Sequence, residues 1–215
     1  MRWGMVIDLK RCNGCGACVL ACKQANYVPP RVFRTQMAVG ETGVYPNAKK
    51  YIYPTQCNQC ADPVCVTNCP TGATFQREDG IVDVDVNKCS GCQQCILLCP
   101  YHERMCNYGE QKEYYPGQGL TEYEIIGKEL KEYPDGTIVK CVFCKELIDE
   151  ALEKGLKPGV DREATPACVL TCMCRARHFG DLDDPESNVS KLLQARPHHV
   201  LHPEYGTQPQ VYYLD

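Results

Sequence analysis

DLKRCNGCGACVLAC, residues 8–22, returns with the same cysteine spacing as DVNKCSGCQQCILLC at residues 85–99. Asp8 lies over Asp85, Arg11 over Lys88, Gly14 over Gly91, and all four cysteines coincide at one constant offset. Each copy follows a short apolar stretch, MVID or IVDVDV, that reads as a strand. Val19-Leu20 and Ile96-Leu97, between the last two cysteines of each copy, read as a short buried helix. The chain therefore carries a duplicated strand–loop–helix unit built round cysteine.

A second pair of copies emerges on the same test. CVTNCPTGATF (65–75) resembles CVLTCMCRARHF (168–179), with Cys65 over Cys168 and Cys69 over Cys172. Upstream, CNQC (57–60) has its counterpart in CVFC (141–144). The cysteines thus fall into four sets: Cys12, Cys15, Cys18, Cys22; Cys57, Cys60, Cys65, Cys69; Cys89, Cys92, Cys95, Cys99; and Cys141, Cys144, Cys168, Cys172. The middle gap of the last set is 23 residues against four in the second. Closure cost grows only logarithmically with loop length, so the insertion does not forbid a site. Within it, ELIDEALEKG reads as an amphipathic helix with Leu147, Ile148, Ala151 and Leu152 on one face, closed by Gly155 and Pro158.

CxxCxxCxxxCP is the bacterial ferredoxin spacing, in which three thiolates of a tight loop bind one cubane and the fourth reaches the neighbouring cluster. Glycines suit such loops because the backbone can pass close to the inorganic core. By that cross-over the inner two sets form one pair and the outer two close around them. The expected fold is α+β, two ferredoxin-like units with one inserted into the other, plus loop insertions and a C-terminal tail. Its boundaries are 1–50 with 101–180 for the outer unit, 51–100 for the inserted one and 181–215 for the tail.

Eighteen cysteines in 215 residues, with only four Phe and one Trp, leave much of the folding free energy to whatever the thiols hold. Disulfides are the first rival, but such frameworks rarely repeat CxxCxxC and belong to oxidising compartments. The N-terminus, MRWGMVIDLKRC, shows neither an apolar leader core nor a twin-arginine signal. Zinc is the second rival, yet a third cysteine at the same spacing is wasted on a tetrahedral ion. A formal charge of −4 with no basic stripe argues against nucleic acid, and no apolar run is long enough to span a bilayer.

MVIDLKRCNGCGACVLACK, PTQCNQCADPVCVTNCPTGATF, DVNKCSGCQQCILLCPY, KCVFC and FGDLDDPES together resemble the four-cluster iron–sulfur subunit of dimethyl sulfoxide reductase-type molybdopterin oxidoreductases. The likeness is nearest to the polysulfide, thiosulfate, tetrathionate and arsenate reductase branch and covers nearly the whole chain. It implies a non-catalytic relay of single electrons through four [4Fe–4S] clusters. Carried over, Cys12, Cys15, Cys18 and Cys172 would hold one cluster, and Cys22, Cys141, Cys144 and Cys168 the next. Cys57, Cys60, Cys65 and Cys99 would hold the third, and Cys69, Cys89, Cys92 and Cys95 the fourth. The implied partners are a large catalytic subunit holding molybdenum or tungsten bis-pterin and a quinone-reactive membrane anchor or haem protein. Membrane association would come through them, on the periplasmic side. The other readings are a free-standing polyferredoxin, a subunit of another complex such as a hydrogenase, and a zinc-stapled structural protein.

His102 stands where the family usually has glycine, and YPGQGLTEYEIIGKELKEYPDG within 103–140 reads as an elaborated loop with a strand pair. Lys10, Arg11, Lys23, Lys140, Lys145, Arg175 and Arg177 sit beside cysteines, either tuning clusters or solvated at the surface. His102, His178, His198, His199 and His202 lie on polar segments and read as surface groups. Asp8 and Asp85 read as shaping the strand-to-loop turn, and Asp184-Pro185 as a helix N-cap and first residue. Cys106 and Cys174 fall outside every set and read as free, buried small hydrophobes.

Overall fold

In a computed structural model, which describes residues 1–215, the repeat is visible in the backbone. Strand β1 (Trp3–Asp8) runs through the first cysteine loop into α1 (Ala17–Ala25). A hairpin of β2 (Thr35–Thr42) and β3 (Lys49–Gln56) delivers the chain to the second set, which ends in α2 (Val64–Thr67). A small hairpin, β4 (Thr74–Gln76) with β5 (Val82–Val84), leads to the third set and α3 (Gln94–Leu97). Then come β6 (Met105–Cys106), α4 (Glu122–Leu130), β7 (Ile138–Val139), α5 (Lys145–Glu153), α6 (Ala167–Leu170), β8 (Arg177–Asp181), α7 (Asn188–Ala195), β9 (His198–His199) and β10 (Val211–Leu214).

The main sheet has the order β8-β1-β10-β9. Every residue of β1 is buried, as befits a strand covered on both faces. It pairs antiparallel with β8 and parallel with β10. On one face Trp3 stacks on Phe179 at 5.4 Å between ring centres, and Phe143 meets Phe179 edge-on at 5.3 Å. Burying rings of this size stabilises the sheet by about 1.5–3 kcal/mol each. Val6, Leu214 and Val189 of α7 form a smaller core.

The turn-shaping role of the paired aspartates is borne out in both copies. The carbonyls of Asp8 and Asp85 accept from the amides of Cys12 and Cys89 at 3.1 Å. Their carboxylates accept from Lys10 N and Asn87 N.

Three expectations need correction. The helices α1 and α3 form, but Leu20 and Leu97 are 68% and 83% exposed, because the face opposite the cysteines is the one solvent reaches. The long 103–140 insertion has a strand pair, but the stretch between the strands is not all loop. The strands β6 and β7 pair at its two roots, and between them lies α4, started by a reciprocal capping box of Thr121 and Glu124. Helix α7 is capped by Ser187, three residues beyond Asp184, whose carboxylate instead accepts from Glu186 N. The segment from 181 ends in the core of this chain, with Val211, Tyr213 and Leu214 of β10 wholly buried inside the main sheet.

Candidate metal centres

Each set opens with CxxC, and in all four the third residue is left-handed: Gly14 (φ 74), Gln59 (φ 47), Gly91 (φ 69) and Phe143 (φ 51). That conformation costs a non-glycine residue free energy, so its recurrence at Gln59 and Phe143 marks a loop shape the site requires. Glycine removes that cost at the other two, and at Gly91 a backbone neighbour also enforces it sterically. A Cβ on Gly14 would meet Ile52 of β3 at 2.8 Å, and one on Gly91 the Gly136 carbonyl at 2.5 Å. His102 is also left-handed (φ 54), which explains why glycine suits that position.

The thiols that most influence one another are not always members of the same set. Burial pushes Cys22 up to about 12, and the next influences on it are Cys168 and Cys144 of the fourth set. Cys141 is raised well above its usual value by burial and then by Cys22, Cys144 and Cys168. Burial and Cys168 likewise push Cys144 up to about 11. In the same way burial drives Cys60 to about 12, seconded by Cys57 and, further off, Cys65 and Cys99. Cys12 is raised by burial and by Cys18 and Cys172. Cys89 and Cys95 flank Cys106, and α2, which leads to Cys69, packs against α3 with Cys95. Cys15 and Cys92 are exposed.

Donors converge on the sulfurs. The amides of Thr74 and Ala176 reach Cys69 Sγ and Cys172 Sγ at 3.3 and 3.2 Å, so the last cysteine of each copy accepts from an amide a few residues downstream. Burial opposes ionisation of Cys69, but donation from Thr74 and Thr71 outweighs it and brings the thiol down to about 7. Arg104 donates from Nη2 to Cys65 Sγ at 2.8 Å, and Asn26 Nδ2 approaches Cys22 Sγ at 3.7 Å. Cys174 is half-buried and enters no core cluster, so only Cys106, at 5% exposure in the core of the inner hairpin, fits the small-hydrophobe reading.

All eighteen cysteines are free. No three His, Cys, Asp or Glu side chains come close enough to hold a single metal ion. Mutually repelling, buried thiols favour a positively charged group that replaces their protons. Iron–sulfur clusters fit these positions on a second count. Arg34, Arg104, Lys140 and Arg177 are all buried, and none forms an ion pair with a carboxylate. Arg177 Nε and Nη1 and Arg34 Nε have no partner at all. Buried, uncompensated cations beside thiols require negative charge there.

Of the seven basic residues singled out in the sequence, Lys140 and Arg177 are buried, whereas Lys10, Arg11 and Arg175 are exposed. Lys23 caps the exit of α1, donating to the Pro29 and Val32 carbonyls at 2.7 and 2.8 Å, and Lys145 pairs with Asp83. Arg34 and Arg104 carry no signal in the sequence, since Arg34 is far from any cysteine and Arg104 is near only Cys106, which belongs to no set. Four of the histidines find local partners, such as His178 with Asn188 and His202 with Glu204.

Residues 48–114 match the family described as 4Fe-4S dicluster domain, and residues 3–24 the 4Fe-4S binding domain. Over 100% of its length the chain is 40% identical to a selenate reductase subunit of Mesobacillus selenatarsenatis, covering 72% of that protein. It is 35% identical to the arsenate respiratory reductase iron–sulfur subunit of Shewanella sp., covering 100% of this chain and 96% of the relative. The iron–sulfur cluster-binding subunit of menaquinone reductase from Nitratidesulfovibrio vulgaris is 33% identical, at 100% and 89% coverage.

Proposed function

The chain belongs to the iron–sulfur electron-transfer subunits of dimethyl sulfoxide reductase-type oxidoreductase complexes, and from that premise we propose how its thiols are shared among four [4Fe–4S] clusters. It is a non-catalytic subunit of such a complex. The proposed groups are Cys12, Cys15, Cys18 with Cys172; Cys22 with Cys141, Cys144 and Cys168; Cys57, Cys60, Cys65 with Cys99; and Cys69 with Cys89, Cys92 and Cys95. Bound clusters would supply one-electron transfer, with a bis-pterin catalytic subunit at one end and a quinone-reactive anchor or haem protein at the other.

The observation that carries these groups is the company of Cys22. It feels the fourth-set thiols Cys168 and Cys144 rather than its own loop, as the cross-over rule requires. The inserted arrangement of the two units is supported by the pairing of β1 with β8, which joins the first and last cysteine regions around the inner hairpin of β4 and β5. Within each group the chain's part is to supply thiolate, aim amides at sulfur and exclude water. No helix is long and apolar enough to cross a membrane.

Cys18→Ser and Cys22→Ser test the groups, since the two residues share a loop but belong to different clusters. Electron paramagnetic resonance of the reduced variants should show different signals lost. Identical losses would mean that each set keeps its own cluster.

A further inference from the structure

Three buried cations stand one at each junction between successive thiol groups. Arg104 donates to Cys65 Sγ at 2.8 Å and to the Thr74 hydroxyl at 3.3 Å, and the Thr74 amide donates to Cys69 Sγ. It therefore bridges the third and fourth groups. Lys140 donates to the carbonyls of Val82 and Cys141. Gln59, inside the CNQC loop, bonds the same two residues, giving to the Cys141 carbonyl and accepting from the Val82 amide, each at 2.7 Å. Lys140 thus lies between the second and third groups. Arg177 donates to Gln56 Oε1 at 2.5 Å and to Met5 Sδ at 3.1 Å, and its Nε and Nη1 are buried without a partner; it lies on β8 against α6, which carries Cys168 and packs on α1 with Cys18, one thiol from each of the first two groups.

Lys140 is 2% exposed and Arg104 and Arg177 are 3% exposed, and no carboxylate pairs with any of them. Burying a lone charge costs several kcal/mol, and folding alone does not demand one at every junction. A fixed positive charge in a low-dielectric interior favours the more negative state of its neighbours, and for a cluster that is the reduced one.

We infer that Arg104, Lys140 and Arg177 are potential-setting residues, each raising the reduction potentials of the two clusters that flank its junction and leaving the other two nearly unmoved. This rests on the ligand groups proposed above. The iron-loaded full chain, titrated with a reductant under paramagnetic resonance, tests it once each signal has been assigned through the cysteine variants. In Arg104→Gln, Lys140→Met and Arg177→Gln, the reduced-to-oxidised ratio of the two flanking clusters at fixed potential should fall at least tenfold. That is a midpoint shift of about 59 mV for a one-electron couple. Arg104→Lys and Lys140→Arg, which keep the charge, should recover most of it. Four intact clusters with unmoved midpoints, or one equal shift of all four, would overturn the inference. Loss of iron from every neutral variant would make the cations structural and overturn it too. Failure of the ligand groups is a separate result, visible earlier as identical losses in Cys18→Ser and Cys22→Ser.

Discussion

Cys172 and Cys174 stand two residues apart and differ in chemistry because of one amide. Ala176 N donates to Cys172 Sγ as Thr74 N does to Cys69 Sγ, whereas Cys174 aligns with Thr71 and receives nothing comparable. Cys174→Ser is therefore expected to keep a full complement of iron, and Cys172→Ser to lose or convert one cluster. Iron per chain decides between them, with the reverse pattern exchanging the assignment. Asp8 supplies a second test. Burial would raise its carboxyl, but Arg196 and the amides of Arg11 and Lys10 hold it below its usual 3.8. Such a group stabilises the fold above its unfolded value, and the benefit is lost as pH falls through the lower folded value. Arg196→Ala lifts the folded value, so acid bleaching of visible absorption should begin at a higher pH than in the wild type. An unchanged bleaching curve would mean that the ion pair contributes nothing. The cysteines and aspartates were legible because the repeat aligns them. Arg34 and Arg104 were not, because burial beside a thiol distant in sequence leaves no local mark.

Among the elements, the cysteine loops declare themselves by spacing, while the insertion between β6 and β7 was read as loop. Its helix had a signal in TEYE, where Thr121 and Glu124 satisfy each other's backbone donors. Three tyrosine hydroxyls then fasten this insertion to the end of α1. Tyr123 donates to the Gln24 carbonyl, Tyr133 to Asn26 and Tyr114 to Val28, at 2.5, 2.7 and 2.5 Å. Thr121→Ala should lower the local stability of α4 by about 1 kcal/mol, read as faster amide hydrogen exchange there, with iron content unchanged. Loss of iron in that variant would show that the insertion holds the clusters rather than covering them. Tyr133→Phe, which removes a bond to the carbonyl beside Arg34, should cost about 1 kcal/mol by the same measurement.

At the scale of the whole molecule, the two ends of the chain meet in one sheet. Strand β10 lies between β1 and β9, and β1 in turn carries β8, so residues far apart in sequence frame the first and second thiol groups. Deleting 211–215 should therefore cost the clusters of the outer unit while those of the inner hairpin persist, leaving about half the iron. Loss of all iron would mean that the two units fold as one. The sequence by itself determined the four cysteine sets, their duplication and the helix between Cys144 and Cys168, because metal-binding loops impose short, repeated spacings that survive as text. The fold alone fixes which strands flank β1, that 211–214 is core, and that Arg104, Lys140 and Arg177 are buried with no carboxylate paired to them. Those features arise from contacts between distant segments, where burial and the field of neighbouring thiols act through space and the order of residues records neither.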